Sequence, residues 1–196
     1  VPSTTIVLAR HGETDWNRDR RVQGQADTPL NDAGRTQARE LAVLLAGEPF
    51  VAVYASDLAR ASETASIVAE HHGLEVLPEP GLRERHFGTW EGMSELEILE
   101  RFPDARQGHW GDGEAPGEMA DRVVAALLRI AAAHPGGHVL AVAHGGPMRT
   151  VLIRTGADDG RPLDNCAVIR VTVEGGLIGC VAQPWAPVEQ TAEPRP

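Results

Sequence analysis

The chain has 196 residues, with 28 acidic against 18 basic ones and a formal charge of -10. It contains no lysine, so all 18 basic residues are arginine, which excludes a pyridoxal Schiff base, a P-loop lysine and the strand lysine of protein kinases. The acidic balance argues against a nucleic-acid or anionic-membrane binder, and no apolar run nears the ~20 residues of a membrane span. Any phosphate held by this chain must therefore meet guanidinium, imidazole or backbone N–H groups. The length fits one domain, expected over residues 1–183 with a proline-rich tail at 184–196. No basic region followed by a long apolar one opens the chain, which predicts a cytoplasmic protein with Cys166 and Cys180 as reduced, buried thiols.

In chain order, Thr5–Ala9 is a short β-rich apolar run and reads as a strand buried on both faces. A polar stretch from Arg10 to Leu30 has no sustained period, and irregular loops of that length are usually functional. Asn31 then caps a helix over 32–46 with a stripe of Ala38, Leu41, Ala42 and Leu45. A second strand over 51–55 leads to Ser56, read as the cap of a helix over 57–71 that Gly73 ends; His71 and His72 at its end read as structural. A third strand is expected over 74–77, a short helix near 94–101, a long helix from Glu118 to His134, and a strand over 138–143. A helix from Gly146 to Arg154 and a hairpin of 166–173 with 177–183 complete the pattern. Strands alternating with helices predict an α/β fold, a three-layer α/β/α sandwich around a mostly parallel sheet. Ligands bind such sheets beyond the carboxyl ends of the strands.

Two of those strand ends have the same ending. Leu8–Ala9–Arg10–His11–Gly12 and Val142–Ala143–His144–Gly145–Gly146 each pass from a buried strand straight into His–Gly. A histidine there can serve as nucleophile toward phosphorus or as general base, and an arginine fork matches phosphate oxygens. The helix after His144 offers free N–H groups to an anion. Glu13 beside the two histidines imitates a metal site, but no His–x–x–His or paired carboxylate spacing supports one, so neither a metal nor a cofactor is expected.

The stretch Arg10–His11–Gly12–Glu13–Thr14 with Trp16–Asn17 resembles the opening motif of the histidine phosphatase superfamily, the phosphoglycerate mutase-like family. Val22–Gln23–Gly24 with Asp27–Thr28–Pro29–Leu30, Tyr54 to Ala65 around Arg60, Leu82–Arg83–Glu84 with Phe87–Gly88–Thr89–Trp90–Glu91–Gly92, and Ala143–His144–Gly145–Gly146 are similar to its later motifs, in its order. The resemblance implies His11 as nucleophile, Arg10 and Arg60 as clamps on the phosphoryl oxygens, His144 as a charged donor in the complex, and Glu84 as the proton donor to the leaving oxygen. It also implies hydrogen bonds from Asn17, Gln23, Gly24 and the Gly145 amide, with Arg85, His86 and Phe87 beside the rest of the substrate. Trp90, His109 and Trp110 are further candidates for the pocket wall, and Arg18, Arg21 or Arg85 for reading a second acid.

The family divides between enzymes that give the phosphoryl group to water and mutases that return it to a sugar acid. The mutases carry a lysine and an adjacent arginine pair for the second anion. This chain has no lysine, and between Gly92 and Gly117 only the separated Arg101 and Arg106. The expectation is a metal-independent phosphomonoesterase acting through phosphohistidine on a small phosphorylated metabolite, with phosphoglycerate mutase as the alternative. An inactive phosphate-binding module would be expected to lack at least one of Arg10, His11, Arg60, Glu84 and His144, and all five are present. Expected partners are the phosphorylated metabolite or inorganic phosphate, with no nucleic acid and no membrane; a homodimer is left open.

Overall fold

The computed structural model describes residues 2–107 and 112–180. Six strands form one sheet in the order β3-β2-β4-β1-β5-β6. The strands are β1 (Thr4–Arg10), β2 (Ala52–Ala55), β3 (Val76–Pro78), β4 (His138–Ala143), β5 (Val168–Glu174) and β6 (Leu177–Cys180). The pairings β3·β2, β2·β4 and β4·β1 are parallel, whereas β5 and β6 are an antiparallel hairpin added to β1. The helices are α1 (Asp15–Arg18), α2 (Asp32–Leu45), α3 (Ala59–Glu70), α4 (Glu95–Arg101), α5 (Pro116–Ala133) and α6 (Gly145–Arg154).

The three layers follow from side-chain alternation along β1 and β4. Ile6, Leu8, Val139 and Ala141 pack on α5 and α6 through Val123, Leu127, Ile130, Val151 and Leu152. Val7, Ala9, Leu140 and Val142 face the other way, onto Leu41, Leu45, Ala61, Ala65 and Val68 of α2 and α3. Both faces of the central strands are thus buried, as their unbroken apolar runs predict.

Several boundaries differ from the pattern reading. The loop after β1 contains the single-turn α1, closed by a capping box between Thr14 and Asn17. Helix α3 begins at Ala59 rather than 57, and Ser56 does not cap it. Its Ala59 amide donates instead to Asp27 Oδ1 at 2.7 Å, a cap supplied by a distant loop and invisible to local pattern. Strand β3 runs to Pro78, and the hairpin is described only to Cys180. Cys166 is buried, with its thiol pushed up to about 12 by burial, but Cys180 is only half-buried, on the edge strand, against the expectation of two buried thiols. The proline-rich 184–196 stretch, His109 and Trp110 lie outside the described residues. Among the described residues no helix is long and apolar enough to cross a membrane.

Candidate active site

The sheet order decides which strand ends meet. Strands β2, β4 and β1 are neighbours in register, with Ala55 opposite Val142 and Arg10 opposite Ala143. Ser56, His144 and His11 each follow directly, so they stand side by side at the carboxyl edge. Their backbones continue the ladder: Ser56 N–H donates to Val142 O and His11 N–H to Ala143 O. The imidazole centroids of His11 and His144 are 5.1 Å apart.

The ring of His11 is fixed by its own neighbour. Its Nδ1 donates to its neighbour's carbonyl, Gly12 O, at 2.6 Å, which makes Nε2 the lone-pair nitrogen of the neutral ring. Burial, then the charges of Arg60 and Arg10, hold its pKa well below the ordinary 6.5. Desolvation is the largest of these effects. The loop is held by a close approach at Gly12, where a Cβ would lie 2.4 Å from Gly34 O of α2.

Around His11 sit donors with nothing to donate to. Arg60 is wholly buried; its Nη2 donates to Gly24 O at 2.7 Å and its Nη1 to Ala26 O at 2.8 Å, while Nε has no partner. Arg10 donates from Nη1 to Leu163 O, and its Nε is also without a partner. His144 places Nε2 2.9 Å from Ser56 Oγ and leaves Nδ1 unmatched. Among the described residues Arg10 and Arg60 form no ion pair. Each buried, unsatisfied donor costs about 1–3 kcal/mol. Two partnerless guanidinium N–H groups beside the unmatched Nδ1 of His144 make a setting suited to an anion.

Opposite this cluster the segment after Leu82 carries Glu84. Its Oε2 accepts from Gly146 N–H in the first turn of α6 at 3.0 Å, and its Oε1 from Arg85 N–H at 2.8 Å. Gly146 is required for that seat, since a Cβ there would lie 2.1 Å from Glu84 Oε1. Arg122 of α5 ties the segment down by donating to the carbonyls of Gly81, Arg83 and Glu84 and to both oxygens of Glu114. Sequence reading missed Ser56, Gly146 and Arg122 as site-builders. The doubled glycine after His144 was the one visible hint.

The remaining expected residues divide. Asn17 and Gln23 build the loop over His11: Asn17 Oδ1 accepts from Thr14 N–H at 3.1 Å, and Gln23 Oε1 accepts from Thr28 Oγ1 at 2.7 Å. Gly24 offers its carbonyl to Arg60, and Gly145 opens α6 beside Arg10. Phe87 lies under the Arg85 guanidinium at 5.0 Å. His86 is exposed and lies 4.0 Å from Glu91, away from the cleft that Phe87 lines. Trp90 is core, packed on Phe102. Arg18 and Arg21 pair with Asp15, Asp19 and Glu97 on the surface. Among the described residues no cluster of His, Cys, Asp and Glu suits a metal ion.

Fold and site together define an α/β phosphoryl-handling enzyme with paired histidines on one sheet edge. The chain belongs to the histidine phosphatase superfamily (branch 1), whose pattern it matches over residues 6–183. Phosphoglycerate mutase-like protein 4 of Arabidopsis thaliana is 42% identical over 79% of this chain and 72% of its own length. The metal-independent phosphoserine phosphatase of the same plant is 41% identical, covering 84% of this chain and 74% of its own. The solved structure of a mycobacterial glucosyl-3-phosphoglycerate phosphatase with VO3 superposes with a TM-score of 0.77 at 30% identity, over 85% of this chain and 90% of the other.

A consequence for pH follows from the histidines. His144, like His11, is held well below 6.5, first by burial and then by Arg60, His11 and Arg10. In the unfolded chain both titrate near 6.5, so below that pH the unfolded state takes up protons that the folded state refuses. Stability therefore falls as pH drops through about 6.5, until the depressed folded values are reached. A bound dianion is expected to reverse this by favouring protonated His144, with Nδ1 donating to the anion and Nε2 to Ser56 Oγ. Sulfate has no titrating proton here and is the probe. Its affinity is expected to rise as pH falls from 8 to 6, with uptake of about one proton, and to lose that slope in His144→Asn. A pH-independent affinity in the wild type would refute the coupling.

Proposed function

We propose that this chain is a metal-independent phosphomonoester hydrolase that works through a phosphohistidine on His11 and acts on a small phosphorylated metabolite. The observation that carries the reading is the neutral His11 ring, its Nδ1 spent on Gly12 O, beside the partnerless Nε atoms of Arg10 and Arg60 and Nδ1 of His144. His11 Nε2 attacks phosphorus in line. The N–P bond forms as the ester P–O bond breaks, and the departing oxygen takes the proton of Glu84. Glu84, now a carboxylate, removes a proton from a water that attacks the phosphohistidine, releasing phosphate and restoring His11. The guanidinium groups and protonated His144 carry the charge on the equatorial oxygens, which is where phosphoryl transfer needs most help.

Hydrolysis is favoured over return of the phosphoryl group to a sugar acid by the cations around Glu84. No lysine exists, Arg101 is exposed at the end of α4, and Arg149 and Arg154 are engaged with Asp158 and Asp121. The test is rapid mixing with a labelled phosphomonoester in the presence of chelator. Base quenching is expected to retain protein-bound phosphate that acid removes, with water oxygen appearing in the phosphate released. Interconversion of 3- and 2-phosphoglycerate without net phosphate release would establish the mutase instead. Loss of turnover on chelation would overturn the metal-free mechanism.

A further inference from the structure

Beyond Glu84 the protein holds a cleft of about 410 Å³, between the start of α5 and the outer face of α6. That lies within the ~300–1,000 Å³ range of small-molecule sites. Its solvent-facing lining is almost wholly apolar, from Phe87, Pro116, Met119, Ala120 and Ile153. Glu84 and Gly146 form its inner end. Glu84, the group assigned to protonate the leaving oxygen, lines this cleft, so the cleft is the space next to that oxygen for the group it carries.

Three arginines border it, and each already has an oxygen partner. Arg85 is buried, donates from Nε to Glu114 O at 2.7 Å and covers the Phe87 ring. Arg149 donates to Asp158 and to Arg161 O. Arg154 reaches Asp121 Oδ1 at 2.9 Å. A second acid on the substrate would compete with those partners for the same guanidinium groups and would also face the Glu84 carboxyl group. The stems of the arginines extend the apolar wall instead.

We propose that this cleft is the leaving-group site, and that the chain prefers phosphate monoesters of apolar alcohols that carry no second acid. This rests on the assignment of Glu84 as the group that protonates the leaving oxygen.

Binding separates this inference from turnover. Calorimetry with methyl-, ethyl-, butyl- and hexylphosphonate, which cannot be hydrolysed, is expected to show affinity rising about three- to fourfold per methylene. Ile153 is 61% exposed on α6, so Ile153→Asp is expected to fold and to flatten the gradient. The six-carbon phosphonate ending in a carboxylate is expected to bind at least about tenfold more weakly than hexylphosphonate. A flat series in the wild type would overturn the proposal, as would tighter binding of the carboxylate, which would show the arginines reading a second acid. Phosphate release from the matching esters is scored separately. A gradient without turnover keeps the cleft and removes the hydrolase reading, and turnover without a gradient does the reverse.

Discussion

Replacing His11 by alanine is expected to lower phosphate release by about 10⁴-fold or more. It is also expected to abolish the acid-labile phosphoprotein and to leave sulfate affinity within about tenfold of the wild type. The asymmetry comes from the division of labour in the site. In the proposed mechanism anion binding draws on Arg10 Nε, Arg60 Nε and His144 Nδ1, whose partnerless atoms the substitution leaves in place. His11 adds the lone pair at Nε2, held in the reactive tautomer by Gly12 O. The variant also removes a buried ring whose neutral form the site enforced, so the loss of stability below pH 6.5 is expected to shrink. Single-turnover kinetics with base quenching, beside calorimetric titration of sulfate, checks both halves. A variant that still forms base-stable phosphoprotein would place the nucleophile elsewhere. One that loses sulfate affinity in proportion to turnover would make His11 a binding group only.

What could be read from sequence here was whatever is written in consecutive residues. The two His–Gly strand ends, the apolar runs of β1 and β4 and the stripe on α2 are local, and each predicted its element. That the two histidines touch is not local. It depends on β4 inserting between β2 and β1, an order that alternation of strands and helices leaves open. The same limit explains Ser56. Preceding a helix, it reads as a cap; its hydroxyl is instead taken by His144 because β2 and β4 are neighbours, and Asp27 supplies the cap from 32 residues away. Arg122 was indistinguishable from a solvated helical arginine until the fold laid the carbonyls of the Glu84 segment across it. The antiparallel β5–β6 hairpin, by contrast, was legible because Glu174–Gly175–Gly176 is a turn signal between two apolar runs.

Arg60→Lys is the substitution that tests why a chain without lysine handles phosphate here. It conserves formal charge and is nonetheless expected to lower kcat/KM by about 10³-fold, near 4 kcal/mol of lost transition-state stabilisation. Two physical reasons combine. Arg60 spends Nη1 and Nη2 on Ala26 O and Gly24 O, shaping the loop that carries Gln23, and keeps Nε for the anion. A lysine has one nitrogen and cannot fill all three positions. Burial also pushes the Arg60 pKa down to about 10, which still leaves it charged at neutral pH. The same burial acting on a lysine, whose ordinary value is already lower, would pull it toward neutral pH and favour its uncharged form. The abandoned carbonyls of Gly24 and Ala26 are expected to lower stability by about 2–4 kcal/mol, a Tm loss of roughly 5–15 °C at this size. Kinetics at temperatures well below that Tm separate the two effects. A folded Lys variant with wild-type kcat/KM would show that position 60 supplies only a charge. A large loss that persists at pH 6, where lysine is again protonated, would show that the geometry of the fork, more than the charge, is what the site requires.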